Sequence, residues 1–201
     1  MEYPWLIVTS ATYRQTSIHQ NEKAREVDPD NTLLWRFRRR RLEAEAVRDS
    51  VLVVSGRLNP ERFGLPIFPP LPDDIADRVK YSNSKWDTQY GSEGRKRSIY
   101  IYQQRTLNMP FLQAFDSLVC DESRPRRRHS VTPLQALAMY DGDFVSGEAQ
   151  HFAKRLQQES GQSARDQIEL AFRLACARKP AEDEVARLLS RIAESASPEA
   201  G

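Results

Sequence analysis

The chain has 201 residues and a mass of 23.2 kDa, enough for one ordinary domain or two small ones. Hydrophobic residues make up 39% and charged residues 29% of the chain, a composition that excludes an intrinsically disordered protein. The formal net charge is only +2. Apolar runs such as Val51 to Val54 are far shorter than the ~20 residues that cross a membrane, and the opening residues predict no signal peptide.

Metal, haem and thiol chemistry have little support in the sequence. The two cysteines, Cys120 and Cys176, lie far apart and form no Cys-x-x-Cys motif. The three histidines show no spacing typical of a metal site, so we expect no metal and no cofactor in this chain. A disulfide between the cysteines stays open, and so does a thiol–base pair of Cys120 with His129.

The first third of the chain predicts two helices separated by a loop. Residues 3–14 contain Trp5, Leu6 and Ile7 and predict the end of a buried helix followed by a turn. Because nothing caps this helix, we expect sequence upstream of it. Residues 15–32 are polar and predict a loop, and residues 33–58 predict the central helix.

Two faces are expected on this central helix. Val47, Val51 and Val54 fall on one apolar stripe, and Arg41, Glu45, Arg48 and Asp49 crowd a charged arc. The spacing of Arg41, Glu45 and Arg48 is that of ion pairs along a helix. The sequence therefore predicts a deeply packed helix whose charges find partners elsewhere.

The middle of the chain interrupts the helical pattern. Five of the twelve prolines lie between Pro60 and Pro72, so 59–97 predicts a long ordered loop or an excursion to a binding surface. Trp86 and Tyr90 indicate that this loop is partly packed. In 98–103, Ile alternates with Tyr, which predicts one short strand as a minor β element.

Helices return over 132–195. Thr132, Pro133 and Gln135 form the sequence of a capping box and predict a helix from 133 to 140. Further helices are expected after Gly142, from Ser163 and from Pro180. The prediction for 1–201 is thus a single, partial and mainly α-helical domain.

An arginine run raises the question of nucleic acid. Trp35 and Phe37 interleave with Arg36 and Arg38–Arg41, as in a single-strand-binding surface. The acids Glu43, Glu45 and Asp49 follow at once, however, and a phosphate-binding helix does not usually carry its own neutralising acids. We therefore favour intramolecular ion pairing over nucleic-acid binding.

Four stretches of the chain resemble consecutive signatures of the domain-of-unknown-function family 1553. They are LIVTSATYRQTS, DPDNTLLWRFRRRRLEAEAVRDSVLVVSGRL, RKRSIYIYQQRTLNMPFLQAFD and VTPLQALAMYDGDFV. The resemblance covers residues 5–195 and keeps the order and spacing of the family. It implies the later part of a domain that forms the C-terminal region of large exported proteins in planctomycetes and related bacteria.

The resemblance also implies where the chain works and with what. The family's proteins often begin with a planctomycete-type cytochrome c domain, but no Cys-x-x-Cys-His occurs here, so no haem attaches to this chain. An extracytoplasmic location, in the periplasm or at the cell surface, is implied, with other domains of the same or a neighbouring protein as partners. The family offers no catalytic residues to carry over. The matching positions are Arg41, Glu43, Glu45, Arg48, Asp49, Arg97, Asp116 and Thr132–Gln135.

We therefore expect a non-catalytic scaffold or interaction module rather than an enzyme. Its structural ion-pair network would be Arg41, Glu43, Glu45, Arg48, Asp49, Arg97 and Arg127. Removing one member of a buried pair is costly, so Glu45→Ala is expected to unfold the domain.

The alternative is a carbohydrate-binding or carbohydrate-degrading module that uses the 59–97 loop. Trp86, Tyr90 and Asp116 would form its ligand surface, because aromatic rings stack on sugars. Two of the acids Asp73, Asp87, Glu93 and Asp116 would then face the same cleft.

Overall fold

A computed structural model describes residues 3–73, 75–77, 86–105, 107–118, 125–161 and 163–196. The fold is mainly α-helical, which confirms the predicted class. The chain divides into two compact units, Met1–Leu42 and Glu43–Gly201. Among the described helices, none is both long and apolar enough to cross a bilayer.

The first unit contains two short helices, α1 (Tyr3–Thr9) and α2 (Glu22–Val27). The burial predicted for α1 is wrong, because Trp5 is 70% exposed and its apolar neighbours are exposed as well. The buried residues described in this unit are polar, Asp28 and Asn31, so α1 has no apolar core to pack against. Hydrogen bonding rather than hydrophobic burial holds this unit's central turn.

That turn also corrects the predicted helix over 33–58. The Asp28 carboxylate accepts hydrogen bonds from the backbone N–H groups of Thr32 (2.8 Å) and Leu33 (2.7 Å). Asn31 and Leu34 both have left-handed backbones, with φ of 56°. These local side-chain bonds compete with helix formation, and the central helix α3 begins only at Ala44 (Ala44–Val54).

A Schellman motif ends α3. The N–H of Arg57 donates to the carbonyl oxygen of Leu52 at 2.9 Å, and the N–H of Gly56 donates to that of Val53 at 3.1 Å. Gly56 takes a φ of 78°, which favours glycine. The helix therefore stops before Leu58, which the sequence placed on its apolar stripe.

The remaining helices follow one another around α3. They are α4 (Pro110–Ala114), α5 (Pro133–Tyr140), α6 (Asp143–Ser160), α7 (Ala164–Cys176) and α8 (Glu182–Ala196). α3 packs against α4 and α6, and each later helix packs against the next one along the chain. α3 is the element that the second unit is built around.

The short strand predicted over 98–103 is reduced to one bridge. Ser98–Tyr100 forms a 3₁₀ turn, and only Ile101 pairs with Ile67, in a parallel bridge. The bonds are Ile67 N–H to the Tyr100 carbonyl (2.8 Å) and Tyr102 N–H to the Ile67 carbonyl (3.0 Å). Prolines on both sides of Ile67, at 66, 69 and 70, have no N–H to donate, so the ladder cannot extend.

This bridge lies in the apolar core of the second unit. The cluster joins α3, the proline-rich segment and α4, and Trp86 packs against it. Its buried members are Ala44, Ile67, Leu71, Ile101, Met109, Leu112 and Phe115.

The C-terminal capping predictions have clear structural counterparts. Thr132 and Gln135 form a capping box, in which Gln135 Oε1 accepts the N–H of Thr132 at 3.4 Å. The Ser163 hydroxyl caps α7 by accepting the N–H of Asp166 at 3.3 Å. The last helix begins at Glu182 instead of Pro180, and Glu184 accepts the N–H of Ala181 at 2.8 Å.

Candidate functional site: the polar network around α3

Arg48 lies inside the second unit, on the buried face of α3. Arg48 is 1% exposed and lies between the buried residues Ala44 and Leu52, which are one helical turn to either side. The sequence placed Arg48 on a charged arc of a deeply packed helix and expected it to find partners elsewhere in the chain. Nη2 donates to the carbonyl oxygen of Gly94 at 2.8 Å, and Nη1 donates to that of Lys96 at 3.2 Å.

Gly94 makes this approach possible. It sits in a 3₁₀ turn, Glu93–Arg95, where a Cβ would overlap the backbone oxygen of Gln89. A side chain at this position would push the turn away from Gln89 and would move the carbonyl that Arg48 binds. The buried arginine thus supplies donors to two backbone oxygens of a segment whose pairing with Asn59 is limited to an isolated bridge at Lys96.

Asp49 also binds this segment, through Ser98. Its Oδ1 accepts both the N–H and the hydroxyl of Ser98, each at 2.7 Å. The Ser98 oxygen in turn accepts a bond from Arg48 Nη1 at 3.1 Å. Arg97 adds a longer contact to Asp49, 3.4 Å from Nε, and its side chain is 61% exposed.

Burial lowers the pKa of Arg48 to about 10, while the charges of Asp49 and Glu148 oppose this change. The guanidinium therefore remains protonated at neutral pH. Its centre lies 5.7 Å from the ring centroid of Phe144 on α6, within reach of a cation–π contact. The charge thus faces a π system as well as two backbone carbonyls.

The start of α3 is held by Arg127. Its Nη1 lies 2.6 Å from a carboxylate oxygen of Glu45 and 3.3 Å from one of Glu43. Burial raises the pKa of Glu45, but the hydrogen bond from Arg127 and two smaller effects outweigh it, so the pKa falls. Both side chains of the closer pair are half-buried, so this pair is weaker than an enclosed one.

The end of α3 is held from α6. Arg155 Nη1 donates to the carbonyl oxygens of Val53 (3.0 Å) and Val54 (2.9 Å), which have no partner within the helix. The buried Glu148 accepts the hydroxyl of Ser55 at 2.6 Å. An open cavity of about 650 Å³ lies beside this junction, lined partly by His151 and Lys154.

Three of the side chains that hold α3 are absent from the sequence-based network. Arg155, Glu148 and Ser98 contact α3 from 46 or more positions away, and no periodicity links them to it. Arg41, which the sequence included, lies in the first unit and donates from Nη1 to the carbonyl of Leu42 at 3.0 Å.

Two of the three residues of the predicted ligand surface make internal contacts. The Trp86 indole donates to the carbonyl of Pro69 at 3.0 Å and packs edge-on against Phe68, with ring centroids 5.3 Å apart. Asp116 accepts the N–H and hydroxyl of Ser130 at 2.8 and 2.9 Å. Tyr90 is 78% exposed.

The other carboxylates proposed for a sugar cleft have their own surroundings. Glu93 binds the buried Lys96 at 2.8 Å, and Glu61 binds the same ammonium at 2.9 Å. Asp73 and Asp87 are exposed.

Metal-ligating side chains and thiols are the remaining candidates for a reactive site. In the part of the chain that the structure describes, no group of three or more His, Cys, Asp or Glu side chains lies close enough to hold a metal ion. Cys120 lies outside the described residues, so its pairing with His129 stays a prediction. Cys176 is an exposed free thiol at the end of α7.

Chemically, the network around α3 binds backbone atoms and positions loops. Its cations donate to carbonyl oxygens, and its carboxylates accept from backbone N–H and hydroxyl groups. Neither curated proteins nor solved structures gave a match to this chain. The model of the family PSD1, described as a protein of unknown function (DUF1553), matches residues 5–192. The chain therefore belongs to the PSD1 (DUF1553) family.

Proposed function

We propose that this chain is a non-catalytic scaffold or interaction module. The observation that carries the proposal is the use of the charged side chains on α3. Arg48 donates to the segment Gly94–Ser98 from both Nη atoms, although its buried Nε has no hydrogen-bond partner. Asp49 binds Ser98, and Glu45 binds Arg127. Groups used in this way hold a surface in shape and have little capacity left for a reacting molecule.

The setting follows from the family resemblance and is part of the same proposal. The partners would be other domains of the same or a neighbouring exported protein, outside the cytoplasm. Electron transfer, if it occurs in such an assembly, would reside in a neighbouring cytochrome c domain. The carbohydrate alternative has support from Tyr90, whose ring is open to solvent, but Trp86 has its indole and ring in internal contacts.

The direction of stability changes tests the proposal. Residues kept for catalysis often destabilise a fold, so replacing them leaves the melting temperature unchanged or raises it. Residues kept for architecture lower it when replaced. We expect Arg48→Met, Asp49→Asn and Glu148→Gln each to lower the melting temperature of the purified chain. Unchanged or raised melting temperatures in all of these variants would contradict the scaffold role.

A matched set of exposed substitutions serves as the control. Arg187→Gln and Asp183→Asn remove charges of the same kind from α8 side chains that are each 73% exposed. These variants should melt close to the unmodified chain, because exposed pairs contribute ~0–1 kcal/mol. A fall as large as that of the buried set would show that net charge, and not the network, sets the stability.

A further inference from the structure

An arginine-rich segment in the first unit differs from the network around α3. Five arginines and no acid occur over residues 36–41. The acids that follow in sequence are engaged in the second unit, Glu45 with Arg127 and Asp49 with Ser98.

The acids within the first unit leave this positive charge largely uncompensated. The Asp28 carboxylate is occupied by Thr32 and Leu33. Arg38 donates to the backbone oxygen of Asp30 at 2.7 Å, and its charge is a minor cause of the lowered pKa of Asp28, after the hydrogen bond from the Leu33 N–H. Among the described residues, no carboxylate forms an ion pair with Arg39 or Arg40, both of which are exposed.

These arginines line a groove that also has an apolar wall. The groove has a volume of about 730 Å³, and its lining includes Ile7, Leu34, Phe37, Arg38, Arg39 and Arg40. A second cavity of about 570 Å³ shares Phe37, Arg38 and Arg39 with it. The segment thus separates two open cavities of the same unit.

Leu34 reaches this groove from a strained backbone. Its φ of 56° is unusual for a leucine, and Gln15 holds its carbonyl through a bond of 2.9 Å. Strain of this kind collects at binding sites, where the surrounding structure maintains it. This backbone conformation places an exposed aliphatic side chain beside the arginines. The groove therefore offers apolar contacts as well as positive charge.

We propose that this arginine groove binds an acidic peptide segment of a partner protein, with carboxylates on the arginines and apolar side chains against Ile7, Leu34 and Phe37. Arginine pairs with carboxylates through two parallel hydrogen bonds, which suits this partner. A nucleic acid is less well matched, because, of the two rings that interleave with the arginines, only Phe37 is exposed for base stacking. The ring of Trp35 already carries the Arg36 guanidinium at 4.7 Å.

The inference names a partner class for the interaction module and so rests on the proposed function. Its test is independent of the melting experiments, because it measures binding at the first unit. The probe is a fluorescently labelled peptide in which glutamate alternates with leucine, titrated with the full chain. We expect saturable binding that weakens as salt rises from ~50 to ~500 mM, since screening reduces attraction between exposed charges.

Matched variants and probes decide the outcome. Arg39→Gln with Arg40→Gln should weaken binding about tenfold, whereas Lys23→Gln with Arg25→Gln, also in the first unit, should not change it. Equal binding of a peptide with glutamine in place of glutamate would overturn the proposal. Tighter binding of single-stranded DNA would also overturn it, and so would salt-independent self-association that blocks the groove.

Discussion

Arg48 and Asp49 are consecutive residues of α3, and both bind the same hydroxyl group. The hydroxyl oxygen of Ser98 accepts a hydrogen bond from Arg48 Nη1 at 3.1 Å, and the same hydroxyl donates a hydrogen bond to Asp49 Oδ1 at 2.7 Å. Each residue also binds backbone atoms of the 94–98 segment, so one turn of helix fixes the conformation of a loop about 50 positions away. This contact joins α3 to the 94–98 loop.

Removal of the Arg48 guanidinium should be the most damaging change in the network. Arg48→Met keeps much of the apolar stem but leaves the oxygens of Gly94 and Lys96 without their donor. Buried polar atoms left unpaired cost ~1–3 kcal/mol each, so we expect a loss of about 3 kcal/mol in unfolding free energy. Urea denaturation measures it, and a loss below that of the exposed Arg97→Gln would contradict the assignment.

A double-mutant cycle tests the bond between Asp49 and Ser98. Ser98→Ala and Asp49→Asn should each destabilise the chain, and the double variant should lose less than their sum. We expect a coupling energy of about 1 kcal/mol, because the two groups share one hydrogen bond directly. Strict additivity in the denaturation midpoints would show that the 2.7 Å bond contributes nothing.

Glu45→Ala should weaken the fold without unfolding it. The Glu45 and Arg127 side chains are only half-buried, so their ion pair is partly screened by solvent. We expect a loss of ~0.5–1 kcal/mol, below that of Arg48→Met. Circular dichroism melts of both variants compare them. A Glu45→Ala chain already unfolded at room temperature would contradict this and support the unfolding expected from the sequence.

Two glycines should respond in opposite directions to alanine. Gly56 has a φ of 78°, and a Cβ there would meet Arg155 Cδ at 3.3 Å, so Gly56→Ala should cost ~1–2 kcal/mol. Gly147 lies within α6 with no atom near its added Cβ, so Gly147→Ala should stabilise by ~0.5–1 kcal/mol. Melting temperatures that move in the same direction would rule out the Schellman interpretation of Gly56.

Acid should loosen the start of α8 through Glu184. Hydrogen bonds from Arg178 and from the Ala181 N–H lower the pKa of Glu184 from 4.5 to about 2. Because the folded-state pKa is the lower one, the stabilisation is complete above pH 4.5 and is lost as pH falls towards 2.

Glu184→Gln should therefore flatten the acid limb of a melting-temperature profile. The matched control is Glu194→Gln, which removes an exposed carboxylate from the same helix. The contact of Glu194 with Arg191 is long, at 3.9 Å. That variant should follow the unmodified chain at every pH. Identical profiles for Glu184→Gln and the unmodified chain would show that Glu184 does not set the acid response.

Local chemistry made part of this structure predictable. The Thr132–Gln135 box, the Ser163 cap and the Gly56 terminus each depend on residues within a few positions of one another. The predicted central helix, 33–58, begins too early, and this error also has a local cause. Asp28 and Asn31 bind backbone groups a few residues ahead. Periodicity counts apolar residues and does not register such bonds.

Sequence patterns alone were therefore enough to predict the helical class, the caps and the family. Tertiary structure alone decided which charges are buried. Arg48 lies one helical turn from the buried Ala44 and Leu52, but its hydrogen-bond acceptors, the carbonyl oxygens of Gly94 and Lys96, lie 46 and 48 positions away in sequence. The free energy of an enclosed cation depends on the acceptors folded around it, and these come together only when distant segments pack.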